Sequence, residues 1–219
     1  SVHSIVSFDF AVAQLPGWHT TIFPPYFVAG AVFSGFAMVM TLMIPARRLL
    51  GYQQVVTPRH LENMAKVMLA TGLMVSYGYL MEHFIAWYSG NPYEMYMIRN
   101  RMTGPYAPLY WSLILCNGVM PQVLWVPKVR HNIAALWVIS LVVGIGMWLE
   151  RFVIVVISLH RDFMPSAWGR YSPTVWDWAT YAGTIGLFVM LLFLFVRALP
   201  VISIAEMREL VAHSSEEKQ

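Results

Sequence analysis

The chain has a single cysteine, Cys116, among 219 residues. That excludes an internal disulfide and any cysteine-built zinc or iron–sulfur site. Charge is also scarce. Asp, Glu, Lys and Arg make up 11% of the residues, against about 25% in a soluble domain. There is no Cys-x-x-Cys-His and no phosphate-binding loop of the Walker or Rossmann kind, so covalent haem attachment and nucleotide chemistry lack their carriers. No internal repeat or low-complexity segment is present. What is plentiful is apolar, with hydrophobic residues at 58%. A water-soluble core cannot hide that much, and disorder, coiled coil and collagen fail on the same composition. A polytopic all-α membrane protein remains. The net charge of +3 is too small on so apolar a chain to argue for nucleic acid; such an excess usually sits in cytoplasmic loops.

About 20 apolar residues cross a bilayer core, and the sequence predicts five complete spans and one partial one. Tyr26–Ile44 and Trp178–Val196 carry no charge. Met68–Tyr88 is apolar until Glu82 and His83. Leu109–Val126 is uncharged but interrupted by Asn117, Pro121 and Gln122, and Asn132–Leu159 holds Glu150 and Arg151. The opening Val2–Leu15 has a helical pattern that ends at Pro16–Gly17 and is too short to cross. It begins in mid-pattern without a Met, so the expectation is that residue 1 is not the biological start and that the chain is the C-terminal part of a longer membrane subunit. Asp9 inside the apolar run, with no basic segment ahead of it, excludes a signal peptide.

Loop charge sets the expected orientation. Arg47, Arg48, Arg59, Lys66, Lys128, Arg130, Arg197, Arg208 and Lys218 follow the second, fourth and sixth helices, whereas the other loops carry Arg99, Arg101, Arg161 and Arg170. The richer set, and with it the C-terminus, belongs in the cytoplasm. Gly17–Pro25, Ser89–Pro108 and His160–Val175 then face the exterior. There Trp87, Tyr88, Trp168, Tyr171, Trp176 and Trp178 form an aromatic belt. Thr57-Pro58 and Asn91-Pro92 read as an N-cap followed by proline at the first helical position, the second opening a short interfacial helix near 92–102. Thr174-x-x-Asp177 reads as a capping box. The polar tail His213–Gln219 is expected to fray.

Ionisable groups at membrane depth are costly and are functional candidates. His3 and Asp9 lie on the first helix about 120° apart; they are either a proton-accepting pair, beside a quinol or along a proton wire, or each the maker of one interhelical hydrogen bond. Ser76, Tyr79, Glu82 and His83 share one side of the third helix at helical spacing, as a proton-passing set or as an ion pair below the aromatic belt. Glu150 and Arg151 point apart on a long helix. Ser140, Gly144, Arg151 and Ser158 trace a stripe that either lines a proton route or carries Arg151 as a clamp on Glu82 or Asp9. His19, His160, Arg161 and Asp162 read as solvated or partner-docking surface, and Asp177 as a cap. The 15 methionines are scattered as packing filler rather than gathered into a copper site. Gly30/Ser34 and Ala31/Gly35 are small-residue pairs for close helix packing. No helix carries two histidines, which argues against haem b, and no metal site is expected in this chain.

Several long motifs carry a resemblance. The opening SVHSIVSFDFAVAQLPGWHTTIFPPYFVAGAVFSGFAM, then NPYEMYMIRNRMTGPY, LCNGVMPQVLW and MWLERFVIVVISLHRDFMPSAWGRYSPTVWDW, resemble the NrfD/PsrC family of quinone-interacting membrane subunits. More narrowly they resemble ActC, or the related ActF, of bacterial alternative complex III. The resemblance implies a ten-helix subunit of the bacterial inner membrane with two four-helix bundles and outer helices. Residues 1–16 would be the last helix of the first bundle, 26–159 the second bundle, 175–199 an outer helix and 200–219 a cytoplasmic tail. It implies oxidation of a menaquinol or ubiquinol. Partners would be an iron–sulfur subunit, multihaem cytochrome c subunits and the paralogous NrfD-like membrane subunit, electrons passing on through their iron–sulfur clusters and haem c. His3 and Asp9 stand in its His-Ser-x-Val-Ser-x-Asp pattern as quinol-site candidates. Glu82, His83, Glu150 and Arg151 match polar positions of the second bundle, proposed to carry protons. An ActF-like structural anchor, an unrelated secondary transporter and a haem-b quinol oxidoreductase are the rival readings.

Overall fold

The computed structural model describes residues 1–161 and 163–199. Asp162 and the tail 200–219, with Arg208, Lys218 and the segment expected to fray, lie outside the described residues. All regular structure among the described residues is helical. The chain divides into two units, Ser1–Arg170 and Tyr171–Gln219.

In the first unit, α1 (Val2–Ala11) is shorter than the predicted Val2–Leu15. The backbone leaves the helix at Val12 and turns through Gly17, at φ +82°, a left-handed conformation that favours glycine. Helix α2 (Phe23–Leu49) outruns its predicted span at both ends. Pro24 and Pro25 occupy its first turn, where no intrahelical N–H is needed. Helix α3 (Pro58–Tyr88) starts at the expected Thr57 cap. His60 completes that cap, its Nδ1 lying 3.2 Å from the Thr57 N–H, in the role Glu or Gln usually fills. The interfacial helix α4 (Pro92–Thr103) forms as expected, with the Asn91 side chain accepting from the Tyr93 N–H at 3.0 Å.

The fourth predicted span is the one the structure alters most. The chain is helical across it but changes pitch twice, as α5 (Ala107–Leu113), a π-helical stretch Ile114–Val119 and a 3₁₀ stretch Met120–Trp125. Pro121 supplies no N–H and crowds the turn before it. After the short α6 (Pro127–Arg130), Asn132 caps α7 (Ile133–Phe152), which widens into a second π-helical stretch, Val153–Ile157. Among the described residues four helices are therefore long and apolar enough to cross a membrane, Phe23–Leu49, Pro58–Tyr88, Ile133–Ile157 and Val175–Ala198. The segment 107–125 is a broken fifth rather than a uniform span.

Helices α2, α3, the 107–125 segment and α7 form a ring in which each packs chiefly on its two chain or sequence-distant neighbours. The pairings run antiparallel. Phe33 meets Gly72 and Tyr26 meets Gly78 across α2 and α3. Thr41 meets Ser140 and Phe27 meets Arg151 across α2 and α7. Tyr79 meets Asn117, and Asn117 meets Met147. This is an up-down-up-down four-helix bundle. Its core holds Phe33, Ala37, Met40, Met68, Val75, Leu124 and Val143, all fully buried. In lipid such a bundle is held by close packing rather than by withdrawal from water. The closest approaches fall at Gly72, Gly78 and Gly146. Of the expected small-residue pairs, Gly30 packs near Met147 but Gly35 faces open space.

In the second unit, α8 (Val175–Ala198) opens with the expected capping box. The Thr174 N–H and hydroxyl both donate to Asp177 at 2.7 Å.

Candidate functional site

Polar groups gather along the inner side of α3, and the α-helical repeat distributes them to different partners. Deepest is Glu150 of α7, 1% exposed. The Tyr79 hydroxyl donates to its carboxylate at 2.6 Å. The Asn117 amide donates to the Tyr79 hydroxyl at 3.0 Å and to the Met147 sulfur at 3.3 Å. Tyr26 of α2 packs edge-on to Tyr79 with ring centroids 5.8 Å apart, and its hydroxyl engages the same carboxylate. Asn117 sits in the π-helical stretch, and pitch changes of this kind are frequent at functional sites. Its carbonyl has no hydrogen-bond partner and presses on Gly146, where any β-carbon would collide with it.

One turn toward the α4 end, His83 bridges two groups. Its Nδ1 lies 2.7 Å from the Tyr79 carbonyl and its Nε2 lies 2.8 Å from the Tyr110 hydroxyl. Beside it, Glu82 accepts from Arg101 at 2.5 Å. Arg101 also reaches the Ser158 hydroxyl at 3.3 Å, and its Nε has no partner. Arg101 was counted as a loop charge on sequence grounds. The structure corrects this: its side chain is 1% exposed, carried from the interfacial helix α4 into the bundle. The clamp on Glu82 is therefore Arg101. Arg151 instead leans outward over the Phe27 ring at 4.6 Å, with only a 3.8 Å contact to Glu150. The sequence offers no signal for this placement beyond the capped helix that carries Arg101; a buried guanidinium is rare unless paired.

Not every predicted group joins this set. The Ser76 hydroxyl donates back to the Gly72 carbonyl at 2.9 Å and reaches neither Tyr79 nor Glu82. His3 and Asp9 are exposed on α1, while Ser7 is the buried residue of that helix. The stripe Ser140, Gly144, Arg151, Ser158 is split. Ser140 pairs with Thr41 at 2.9 Å, Gly144 faces open space, and the π-helical turn after Phe152 rotates Ser158 away from Arg151 toward Arg101. Widening the turn also frees a carbonyl, and Trp18 donates to Ile154 at 2.6 Å.

The surface residues are more ordered than solvated loops would be. His160 is buried, edge-on to Tyr106 at 5.0 Å, with Asn100 at 3.5 Å and its Nδ1 2.8 Å from the Ile157 carbonyl. Burial pushes its pKa below the usual range, against the pull of that carbonyl. Arg161 donates to Tyr96 and Asn100 and lies 5.4 Å from the Trp168 ring. Glu94 of α4, at the same end, accepts from the Gly17 N–H at 3.0 Å.

No group of His, Cys, Asp and Glu able to hold a metal exists among the described residues. The bundle is thus a helical membrane domain whose interior carries titratable side chains. The family model for polysulphide reductase, NrfD, matches residues 1–161, and the chain belongs to the NrfD family. Its members are membrane subunits of quinol-linked oxidoreductases, generally paired with iron–sulfur subunits. A comparison with curated proteins found no match.

Proposed function

We propose that this chain is part of the ActC-like membrane subunit of a bacterial alternative complex III, seated in the inner membrane with its C-terminus in the cytoplasm. The complex oxidises menaquinol or ubiquinol. Electrons leave through an iron–sulfur subunit to multihaem cytochrome c subunits, beside the paralogous NrfD-like subunit. Oxidation of a quinol also releases protons, and those need bases. In this reading His3 and Asp9 on α1 are the acceptors nearest the quinol, and Tyr79, Glu82, His83 and Glu150 move protons within the bundle. Arg151 and Ser76 border that set rather than extend it.

One observation carries the reading: a carboxylate within the bundle that is 1% exposed, held by a tyrosine hydroxyl at 2.6 Å that is itself bonded to an asparagine. Such a group is expensive in lipid and is ordinarily kept for function. Family membership supplies the quinol.

The test uses the intact membrane complex. Glu150→Gln keeps the shape but cannot ionise, and Tyr79→Phe removes the hydroxyl. Each is expected to slow quinol-driven proton release by ~100-fold or more, the lower end for losing a proton-transfer group. His3→Ala and Asp9→Asn are expected to slow quinol oxidation itself. Full activity in the first pair would leave Glu150 as a structural anchor, and full activity in the second pair would remove α1 from the reaction.

A further inference from the structure

Two small cavities lie side by side at the α4 end of the bundle. The inner one, of about 140 Å³, is lined by Gly17, His19, Thr20, Glu82, Ser89 and Glu94 among others. The outer one, of about 190 Å³, is lined by Gln14, Pro16, His19, Asn91, Glu94 and Phe163 among others. Each has room for several waters. His19, Asn91 and Glu94 belong to both walls, so they stand at the junction. Glu82, at the base of the inner cavity, is the residue whose carboxylate meets Arg101.

We propose that Glu94, with His19, is the mouth of the proton route, passing protons between the aqueous phase at this end and Glu82. The inference rests on the proton-handling reading above and gives it an entrance. Glu94 is suited to the task by its setting. It is half-buried in the first turn of α4, and its carboxylate accepts from the Gly17 N–H at 3.0 Å. The charged and titratable groups facing it are Glu82 and Arg101 from within and His19 from the α1–α2 loop. Burial, reinforced by the Glu82 charge, pushes its pKa above the usual 4.5, against the Gly17 N–H and Arg101. A carboxyl raised in this way takes up and gives back a proton nearer neutral pH than a solvated one. Arg101 holds Glu82 from behind and so fixes the position of the carboxylate that lines the inner cavity. Gly17 keeps the junction narrow: a side chain there would collide with Met97 and press on the Arg101 guanidinium at 3.0 Å.

The alternative is that Glu94 only fastens the α1–α2 loop to α4, and the test separates the two. Glu94→Gln retains a side-chain oxygen for the Gly17 N–H but cannot carry the proton. In the intact complex it is expected to lower kcat for quinol oxidation by ~tenfold, with KM for quinol unchanged and a larger solvent deuterium isotope effect. Glu94→Asp is expected to recover part of the rate. Glu94→Gln at the wild-type rate and isotope effect would overturn the proposal. A second readout needs no turnover. Thr20→Cys, in a Cys116→Ser background, is expected to react with a membrane-impermeant thiol reagent added on the α4 side only. Absence of labelling, or labelling from the opposite side, would overturn it as well. A wild-type complex that binds no quinol would instead defeat the functional reading, while the labelling would still decide whether the cavity is open to water.

Discussion

Replacing Arg101 with methionine isolates the pairing at the centre of the α4 end. The stem keeps roughly its volume and the charge is lost. Arg101 is 1% exposed and Glu82 18% exposed, so the pair is largely desolvated. Removing one partner of a buried pair costs about 3–5 kcal/mol, because the other charge is stranded. The lower end applies here, since Glu82 borders a cavity that can hydrate it. About 3 kcal/mol, roughly a hundredfold in an equilibrium constant, is the expected loss for Arg101→Met. Glu82→Gln strands the guanidinium, which cannot shed its charge, and is expected to cost at least as much. The double variant removes both charges and is expected to cost less than the sum of the two by more than ~1 kcal/mol. Unfolding of the purified complex in one detergent, by denaturant or heat, measures all four corners of the cycle. Additivity within about 0.5 kcal/mol, or an Arg101→Met protein as stable as wild type, would refute the idea that this pair is coupled and desolvated.

Gly78→Ala places a β-carbon against the Tyr26 ring; overpacking of this kind costs about 1–3 kcal/mol, and the shifted Tyr26 is expected to lower activity as well as melting temperature. Gly35→Ala, with open space around it, is the neutral control in the same assay. His160 is kept neutral by burial, its pKa below the usual 6.5. At neutral pH and above, folded and unfolded states then bind the same number of protons at this site. As pH falls below 6.5 the unfolded chain gains a proton the fold resists, so stability declines until the folded pKa is reached. His160→Gln is expected to flatten that decline in a melting series between neutral and mildly acid pH; an unchanged slope would refute it.

Composition and hydropathy were enough to predict an all-helical membrane bundle, because the period and length of apolar runs are set by the bilayer. The caps at Thr57, Asn91 and Thr174 were legible for the same local reason, a side-chain acceptor beside the first turn being a short-range signal; the Asn132 cap, of the same kind, was not read from the sequence. Pitch changes were not legible. Pro121 marked a disturbance, but nothing in VIVVI announces the π-helical turn over Val153–Ile157, whose freed Ile154 carbonyl is taken up by Trp18 from 136 residues away. That turn undid the predicted stripe by rotating Ser158. Partner choice was equally hidden. Spacing on α3 placed Tyr79, Glu82 and His83 together, but not that they would meet Glu150, Arg101 and Tyr110 on three different segments. A charge in a short polar helix is usually solvated, and only the tertiary fold turns Arg101 inward.

Between the Thr41–Ser140 contact and the Glu150 carboxylate, ten residues along α7 or about 15 Å, the fully buried side chains are Phe33, Ala37, Met68, Val75 and Val143. That layer is apolar, with a polar level on either side of it. An electrical potential across the membrane would fall mainly over it, at about 2.3 kcal/mol per elementary charge for each 100 mV. On the proposed route Glu150 would then sit at nearly the voltage of the α4 side, and driving a charge onward through the bundle would mean working against almost the whole field at once.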